Sequence, residues 1–108
     1  MSEFAGSLRE RVLLLRQEHV RTAAGLLVGE WVGFAHCHAA VVPDGVGTEA
    51  EGMTLSQMPR YRVTLRPIAG LTIDQRIQWR DRIMGVRQVI DDPRTPDRIL
   101  LRCEEVRT

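Results

Sequence analysis

The side chains with the greatest potential for chemistry lie together in the segment His36-Cys37-His38. If this segment is a strand, His36 and His38 point the same way and could chelate one ion, while Cys37 faces the opposite side. A zinc site needs three or four ligands, and neither His19 nor Cys103 stands at a spacing typical of zinc ligands. Two polar side chains at the rim of a strand are the simpler interpretation, so we predict no metal site.

Covalent chemistry finds no better support in the sequence. Cys37 and Cys103 form no CxxC pair, and neither lies in a nucleophile-turn motif. The segment Asp44-Gly45-Val46-Gly47 lacks the Gly-Lys element of a phosphate-binding loop. The Asp91-Asp92 pair precedes a proline and is typical of a turn. We therefore predict no catalytic residue, no cofactor and no enzymatic activity.

Arginine supplies all 15 basic side chains of the chain. Arg60, Arg62 and Arg66 alternate with apolar residues and should project from one face of a strand. This row could follow nucleic-acid phosphates, form half of an ion-pair ladder between subunits, or lie in solvent. A formal net charge of +1 and an aromatic content of 5% argue against a protein whose whole exterior binds nucleic acid.

One long segment without regular structure, residues 43–59, separates the two halves of the chain. It is rich in glycine, and its charged residues are all acidic. A loop of this length inside a small domain is usually functional or disordered. The residues alone leave both possibilities open.

The elements that must position these residues are strands. We predict one all-β domain over residues 1–108, a small antiparallel barrel or sandwich of about six strands with the one long loop. The predicted strands are 11–20, 30–42, 60–66, 76–80, 83–90 and 99–105, with a helical alternative for 34–42 and a turn at Gly25 that uses positive φ. We expect Trp31, Leu65 and Trp79 to anchor the core or an interface.

The order of several short motifs resembles a known family. These motifs are Tyr61-Arg62-Val63-Thr64-Leu65-Arg66, Gln75-Arg76-Ile77-Gln78-Trp79, Arg82-Ile83-Met84-Gly85-Val86 and Leu100-Leu101-Arg102-Cys103-Glu104-Glu105. Leu8-Arg9-Glu10-Arg11-Val12, Gly25, Trp31 and Ala39-Ala40-Val41-Val42-Pro43 extend the similarity upstream. Together they resemble the head–tail joining proteins of tailed phages, which are also called head-closure or stopper proteins.

The resemblance implies a structural role. Members of this family assemble as a ring, here expected to be sixfold or twelvefold, beneath the portal and its adaptor. They close the DNA exit channel and present a docking surface to a tail terminator or tail tube protein. The long loop would correspond to the channel-facing loop, with the following candidate residues: Asp44, Gly45, Gly47, Glu49, Glu51 and Gly52. Packaged DNA would be contacted without sequence specificity, in a phage, a prophage or a gene-transfer particle.

Two other functional classes stay open from the residues alone. A small nucleic-acid-binding barrel would use the arginine row, and a metal-dependent enzyme would use His36 and His38. The amino terminus has no signal-peptide pattern, and no apolar run approaches the ~20 residues of a membrane-spanning helix. We therefore expect a protein that is made in the cytoplasm and contacts no membrane. The resemblance implies that it is incorporated into a particle at its head–tail interface.

Overall fold

The described part of the protein is built from six antiparallel strands. The computed structural model describes residues 8–44 and 58–106. In chain order the strands are β1 (Glu10–Arg21), β2 (Leu27–Pro43), β3 (Arg60–Leu65), β4 (Arg76–Trp79), β5 (Arg82–Ile90) and β6 (Ile99–Glu105). The prediction of an all-β fold with about six strands is confirmed. Within the described residues no helix occurs, and hence none that could cross a membrane.

The sheet closes on itself. Its strand order is β1-β2-β3-β6-β5-β4, and the ring is completed where residues 12–15 of β1 pair with β4. Closure is possible because every neighbouring pair is antiparallel and short connections join β4 to β5 and β1 to β2. Of the two predicted architectures, the structure is the barrel rather than the sandwich.

The two ends of the barrel carry different extensions. Strands β1 and β2 continue beyond the barrel as a hairpin, which we call the arm and define as residues 16–32. The 45–57 segment leaves from the opposite end, between Asp44 and Met58. We call these the arm end and the loop end. A single barrel therefore presents two distinct surfaces along its axis.

The core fills the barrel and draws residues from every strand. Its buried members come from alternate positions, as the period-two pattern requires. They are Val12, Leu14, Ala39, Val63, Leu65, Ile77, Met84, Val86, Ile99, Leu101 and Cys103. Leu65 is fully buried among them. Trp79 is half-buried and packs against the same cluster.

Trp31 does not belong to this core and is 36% exposed. The pairing of β1 with β2 shifts between Leu14 and Leu15, which pair with Ala35 and Gly33 respectively, so Phe34 is an extra residue in β2. An extra residue of this kind reverses the inside–outside alternation of the strand that follows it. Trp31 therefore faces away from the side that Ala35 occupies, and the prediction that it anchors the core is wrong.

The tip of the arm is the predicted glycine turn. Gly25 has a φ of 88°, a conformation that L-residues with a side chain adopt rarely. The Thr22 and Leu26 backbones are hydrogen-bonded over 2.7 Å, and the Thr22 hydroxyl accepts a further bond from the Leu26 N–H. The helical alternative for 34–42 is wrong, because that segment lies within β2.

Candidate functional site

At the loop end, Asp44 fixes the start of the 45–57 segment. Its backbone N–H donates to the Arg60 carbonyl over 2.9 Å, which extends the pairing of β2 with β3 by one residue. Its carboxylate lies between the Arg102 Nε, at 3.2 Å, and the Arg62 Nε, at 3.6 Å. The segment thus leaves the barrel from a base that is hydrogen-bonded and ion-paired.

Of the predicted channel-loop residues, these contacts place only Asp44. Asp44 points onto the outer wall of its own barrel, where its side chain is 17% exposed. The remaining candidates lie outside the described residues: Gly45, Gly47, Glu49, Glu51 and Gly52. Their part in closing a channel stays a prediction.

The arginine row belongs to a wider basic face on the outer wall of β3, β5 and β6. Arg62 lies directly opposite Arg102 across the β3–β6 ladder, and Arg60 lies opposite Glu104. Arg87 joins them through an ion pair of 3.2 Å with Glu104. We define the basic face as Arg60, Arg62, Arg87 and Arg102. Arg66 is exposed just beyond the end of β3, so it is not part of this face.

The sequence did not predict that Arg87 and Arg102 belong to the basic face, although a signal for Arg102 existed. Leu101 and Cys103 are buried and alternate with exposed Arg102, as a half-buried strand requires. The alternation places Arg102 on the outer wall. Only the strand order β3-β6-β5 brings it beside Arg62, and that order is not visible from the alternation alone.

An aromatic pair closes the interior of the barrel near the loop end. The Tyr61 and Trp79 rings pack edge to face with their centroids 5.3 Å apart. The Trp79 indole N–H donates to the Glu10 carboxylate over 2.9 Å, and the Arg80 guanidinium donates to it over 3.1 and 3.2 Å. The bond from Trp79, aided by Arg80 and opposed by desolvation, lowers the pKa of Glu10.

Arg80 has a strained backbone at this point. It is the first residue of the two-residue turn between β4 and β5, and its φ is 58°. A non-glycine residue there costs free energy that its surroundings must offset. The contacts of Arg80 with Glu10 and the Trp79 ring, 5.1 Å from its guanidinium, are the compensating interactions.

The arm has the opposite character to the barrel. None of its residues is buried, and all except Glu18 are exposed. Six of the eight large apolar residues exposed in the described structure lie on it: Val20, Leu26, Leu27, Val28, Trp31 and Val32. An isolated two-stranded hairpin is marginally stable in water. The Arg76 guanidinium stacks on the Trp31 ring at 4.3 Å, but the other apolar side chains of the arm stay exposed. An exposed apolar hairpin of this kind is a candidate interaction surface.

The histidine–cysteine segment offers little chemistry. His36 and His38 are exposed on β2, and Cys37 is half-buried between them. The described residues contain no group of three or more side chains that could hold a metal ion. Burial raises the pKa of the Cys37 thiol, and it raises that of Cys103 to about 12. A thiol that is protonated at neutral pH is a poor nucleophile.

Comparison with known proteins assigns the family. A family model described as phage head completion protein matches residues 5–106. The chain belongs to this family. The resemblance to the head–tail joining proteins of tailed phages that the motifs predicted is therefore confirmed, and the chain is a structural protein of the phage particle.

Two solved structures share the head completion fold of this chain. The solution structure of protein SF1141 from Shigella flexneri 2a superposes with a TM-score of 0.74 at 17% identity, covering 93% of this chain and 94% of that one. A chain from the virion of a native gene transfer agent particle superposes with a TM-score of 0.66 at 16% identity, covering 92% and 96%. No curated protein gives a match.

Proposed function

We propose that this head completion protein forms a homo-oligomeric ring, sixfold or twelvefold, between the portal or adaptor protein and the tail terminator or tail tube protein. Membership of the phage head completion family supports this placement. The barrel also has the required polarity, because the loop end and the arm end differ in charge, exposure and chain path. A ring of such barrels offers one surface toward the head and another toward the tail.

We further propose that the 43–59 loop closes the DNA exit channel. The observation that supports this role is the clasp at its base, where Asp44 is held by the Arg60 carbonyl and by the guanidinium groups of Arg62 and Arg102. A fixed base lets a glycine-rich segment change its path without disturbing the barrel. The acidic residues of the segment, Glu49 and Glu51, would repel DNA phosphates, which suits a closure better than a grip.

The decisive experiment replaces Val46–Ser56 with a short Gly-Ser turn. Folding should change little, because the free energy of closing a loop varies only logarithmically with its length. Particles that carry the shortened loop should package DNA and then lose it before the tail attaches. DNA retention is measured by nuclease protection of packaged DNA in purified particles.

Two matched variants separate length from charge. A Gly-Ser replacement of the same length keeps the span of the segment but removes its side chains, and the Glu49→Gln/Glu51→Gln variant removes only the negative charge. If the shortened variant keeps its DNA and the particles stay infectious or transfer-competent, the loop does not close the channel. The protein would then act as a spacer between adaptor and tail.

The basic face keeps a nucleic-acid-binding barrel as the alternative function. Arg62 and Arg102 lie side by side as phosphate ligands would, but Asp44 already neutralises part of their charge. Binding through phosphates should weaken steeply with salt, in proportion to the number of phosphates neutralised. A DNA affinity that falls at least about tenfold between 50 and 200 mM salt would favour this alternative over a role between subunits.

A further inference from the structure

Two pairs of like charges face each other across the strands of this sheet, and their signs are opposite. On the arm, Glu18 lies directly across from Glu30 in the β1–β2 ladder. On the barrel wall, Arg62 lies directly across from Arg102 in the β3–β6 ladder. Like charges directly opposite each other destabilise a sheet. Each pair therefore creates an excess of one sign that a partner of the other sign would relieve.

The chain compensates each pair only in part. Arg16 binds Glu18 over 3.0 Å, but Glu30 has no ion-pair partner among the described residues. Asp44 alone serves both Arg62 and Arg102, at the longer distance for Arg62. One uncompensated negative charge thus lies on the arm, and one uncompensated positive charge lies on the basic face.

Apolar surface accompanies both charge pairs. Opposite residues of an antiparallel ladder share a face, so the arm face that carries Glu18 and Glu30 also carries Val20, Val28 and Val32. Beside Arg62 lies a groove of about 330 Å³, which we call the docking groove. Its apolar walls are Val42, Ile90 and Leu100. Val20 and Val42 are each 45% exposed.

We propose that the arm of one copy of this protein docks into the docking groove of the next copy, with Glu30 and Glu18 against Arg62 and Arg102. The valines of the arm pack on Val42, Ile90 and Leu100. This inference rests on the ring of the proposed function and names the contact that builds it. The occupant is a second copy because both complementary surfaces occur on one chain and do not meet within it.

The geometry of the arm suits such a contact. Strand β1 continues for six residues beyond its pairing with β4, which is about 20 Å at 3.3 Å per residue. That reach is comparable with the smallest dimension of the molecule, 26 Å. The donor surface and the acceptor surface differ, so the contact is head-to-tail. Repetition of a head-to-tail contact closes a ring when its rotation allows.

Carboxylates on the arm also discriminate between partners. Glu18 and Glu30 would repel phosphates, so nucleic acid is a poor occupant for this face of the arm. Charge complementarity across an interface fixes register and suppresses wrong partners more than it adds affinity. The paired valines supply the apolar contact, and the charges select the groove on the neighbouring copy.

The first test is cross-linking inside assembled particles. The Glu30→Cys/Arg62→Cys variant is made in a Cys37→Ser/Cys103→Ala background, and a thiol-reactive bifunctional reagent is added. We expect a ladder of covalent multimers of this chain. The control pair, Asp81→Cys with Arg11→Cys, removes one charge of each sign from exposed positions outside both surfaces and should give no ladder.

The second test exchanges the charges. Glu30→Arg and Arg62→Glu should each lower the recovery of multimers at least about tenfold, since like charges then meet across the contact. The double variant should recover them. Asp81→Arg is the matched control for Glu30→Arg and should assemble as wild type does. All variants must keep the wild-type unfolding midpoint, which separates lost docking from lost folding.

Mixing the single variants tests whether the contact is head-to-tail. The arm of Arg62→Glu copies fits the intact groove of Glu30→Arg copies, and the exchanged charges of the other contact are again opposite in sign, as in the double variant. A head-to-tail contact should therefore give multimers larger than a pair in the mixture, whereas a mutual two-fold contact would stop at pairs. No ladder in particles that contain the protein overturns the docking proposal. Cross-links only to another particle protein overturn the choice of a second copy. A ladder in particles that keep their DNA with the shortened loop leaves the docking contact standing and refutes the channel closure alone.

Discussion

The barrel and the arm use the same two strands in opposite ways. Within the barrel, β1 has partners on both sides, β2 and β4, and it buries Val12 and Leu14. Beyond residue 15 the strand has only β2 as partner, and no residue of the arm is buried. The barrel part lowers the free energy of folding. The arm part contributes exposed apolar surface, and its benefit must come from another molecule.

Charge follows the same division. At the loop end of the barrel, Glu10 is engaged by Trp79 and Arg80, and Glu105 is engaged by Arg82. These contacts join strands that are neighbours in the closed sheet. On the arm, the only ion pair joins Arg16 and Glu18, two residues apart on one strand. Ion pairs thus join neighbouring strands of the barrel, whereas the ion pair of the described arm lies within one strand and joins the arm to no other element.

The largest effect on stability is expected when one leucine of the barrel and one leucine of the arm are each replaced by alanine. Leu65→Ala in the barrel should lower the free energy of unfolding by about 2–5 kcal/mol, because Leu65 is fully buried and leaves a cavity. Leu27→Ala on the arm removes the same side chain from a position that is 61% exposed, and it should change stability by no more than about 0.5 kcal/mol. Chemical denaturation followed by circular dichroism measures both.

Comparable losses for the two leucines would contradict the division between barrel and arm. The arm would then pack against the chain in solution, and its surface would not be available to another copy. Val63→Ala is a useful companion variant, since Val63 is also fully buried in β3.

Much of the barrel could be predicted from alternation alone. Strand β6 has the predicted bounds, and Tyr61, Val63 and Leu65 face inward as their alternation with arginines required. Alternation succeeds there because one face is buried and the other is solvated along the whole strand. Family resemblance rested on these same strands.

The candidate interaction surfaces could not be predicted in the same way. The extra residue Phe34 reverses the faces of β2, and nothing local in Gly33-Phe34-Ala35 distinguishes an extra residue from an ordinary one. The arm projects because β4 pairs with β1 only as far as Leu15, a limit set by the length of β4. The opposition of Arg62 and Arg102 depends on strand order. All three features follow from pairing between distant segments.

A smaller effect should appear when the carboxylate at the loop end is neutralised. The bond from Trp79 holds the pKa of Glu10 below its ordinary value of about 4.3. A group whose pKa is lowered by folding stabilises the protein above its unfolded pKa, and this contribution disappears as the pH falls through the folded pKa. Glu10→Gln should therefore be less stable than wild type at pH 7, and the difference should shrink below about pH 4.

Glu18→Gln on the arm is the matched control for Glu10→Gln. It removes the exposed pair with Arg16, so at pH 7 it should cost well under about 1 kcal/mol. Urea denaturation at pH 7 and at several lower pH values gives both differences. A Glu10→Gln difference that stays constant or grows as the pH falls would contradict the role assigned to the bond between Glu10 and Trp79.

The last expected effect is a difference in reactivity between the two thiols, and it tests the boundary between the barrel and the arm. Cys103 is buried in β6 and has its pKa raised to about 12, whereas Cys37 is half-buried in β2, on the strand that continues into the arm. Thiolate is the reactive form, so Cys37 should react with a maleimide first and Cys103 only after the barrel opens.

Replacing Arg16–Val32 with a two-residue Asn-Gly turn should leave the labelling of Cys103 slow, because no residue of the arm belongs to the core around it. Mass spectrometry of timed labelling reactions, with and without denaturant, resolves the two sites. Rapid labelling of Cys103 in the shortened chain would mean that the arm holds the barrel closed, and the separation of a stable barrel from an interacting arm would fail.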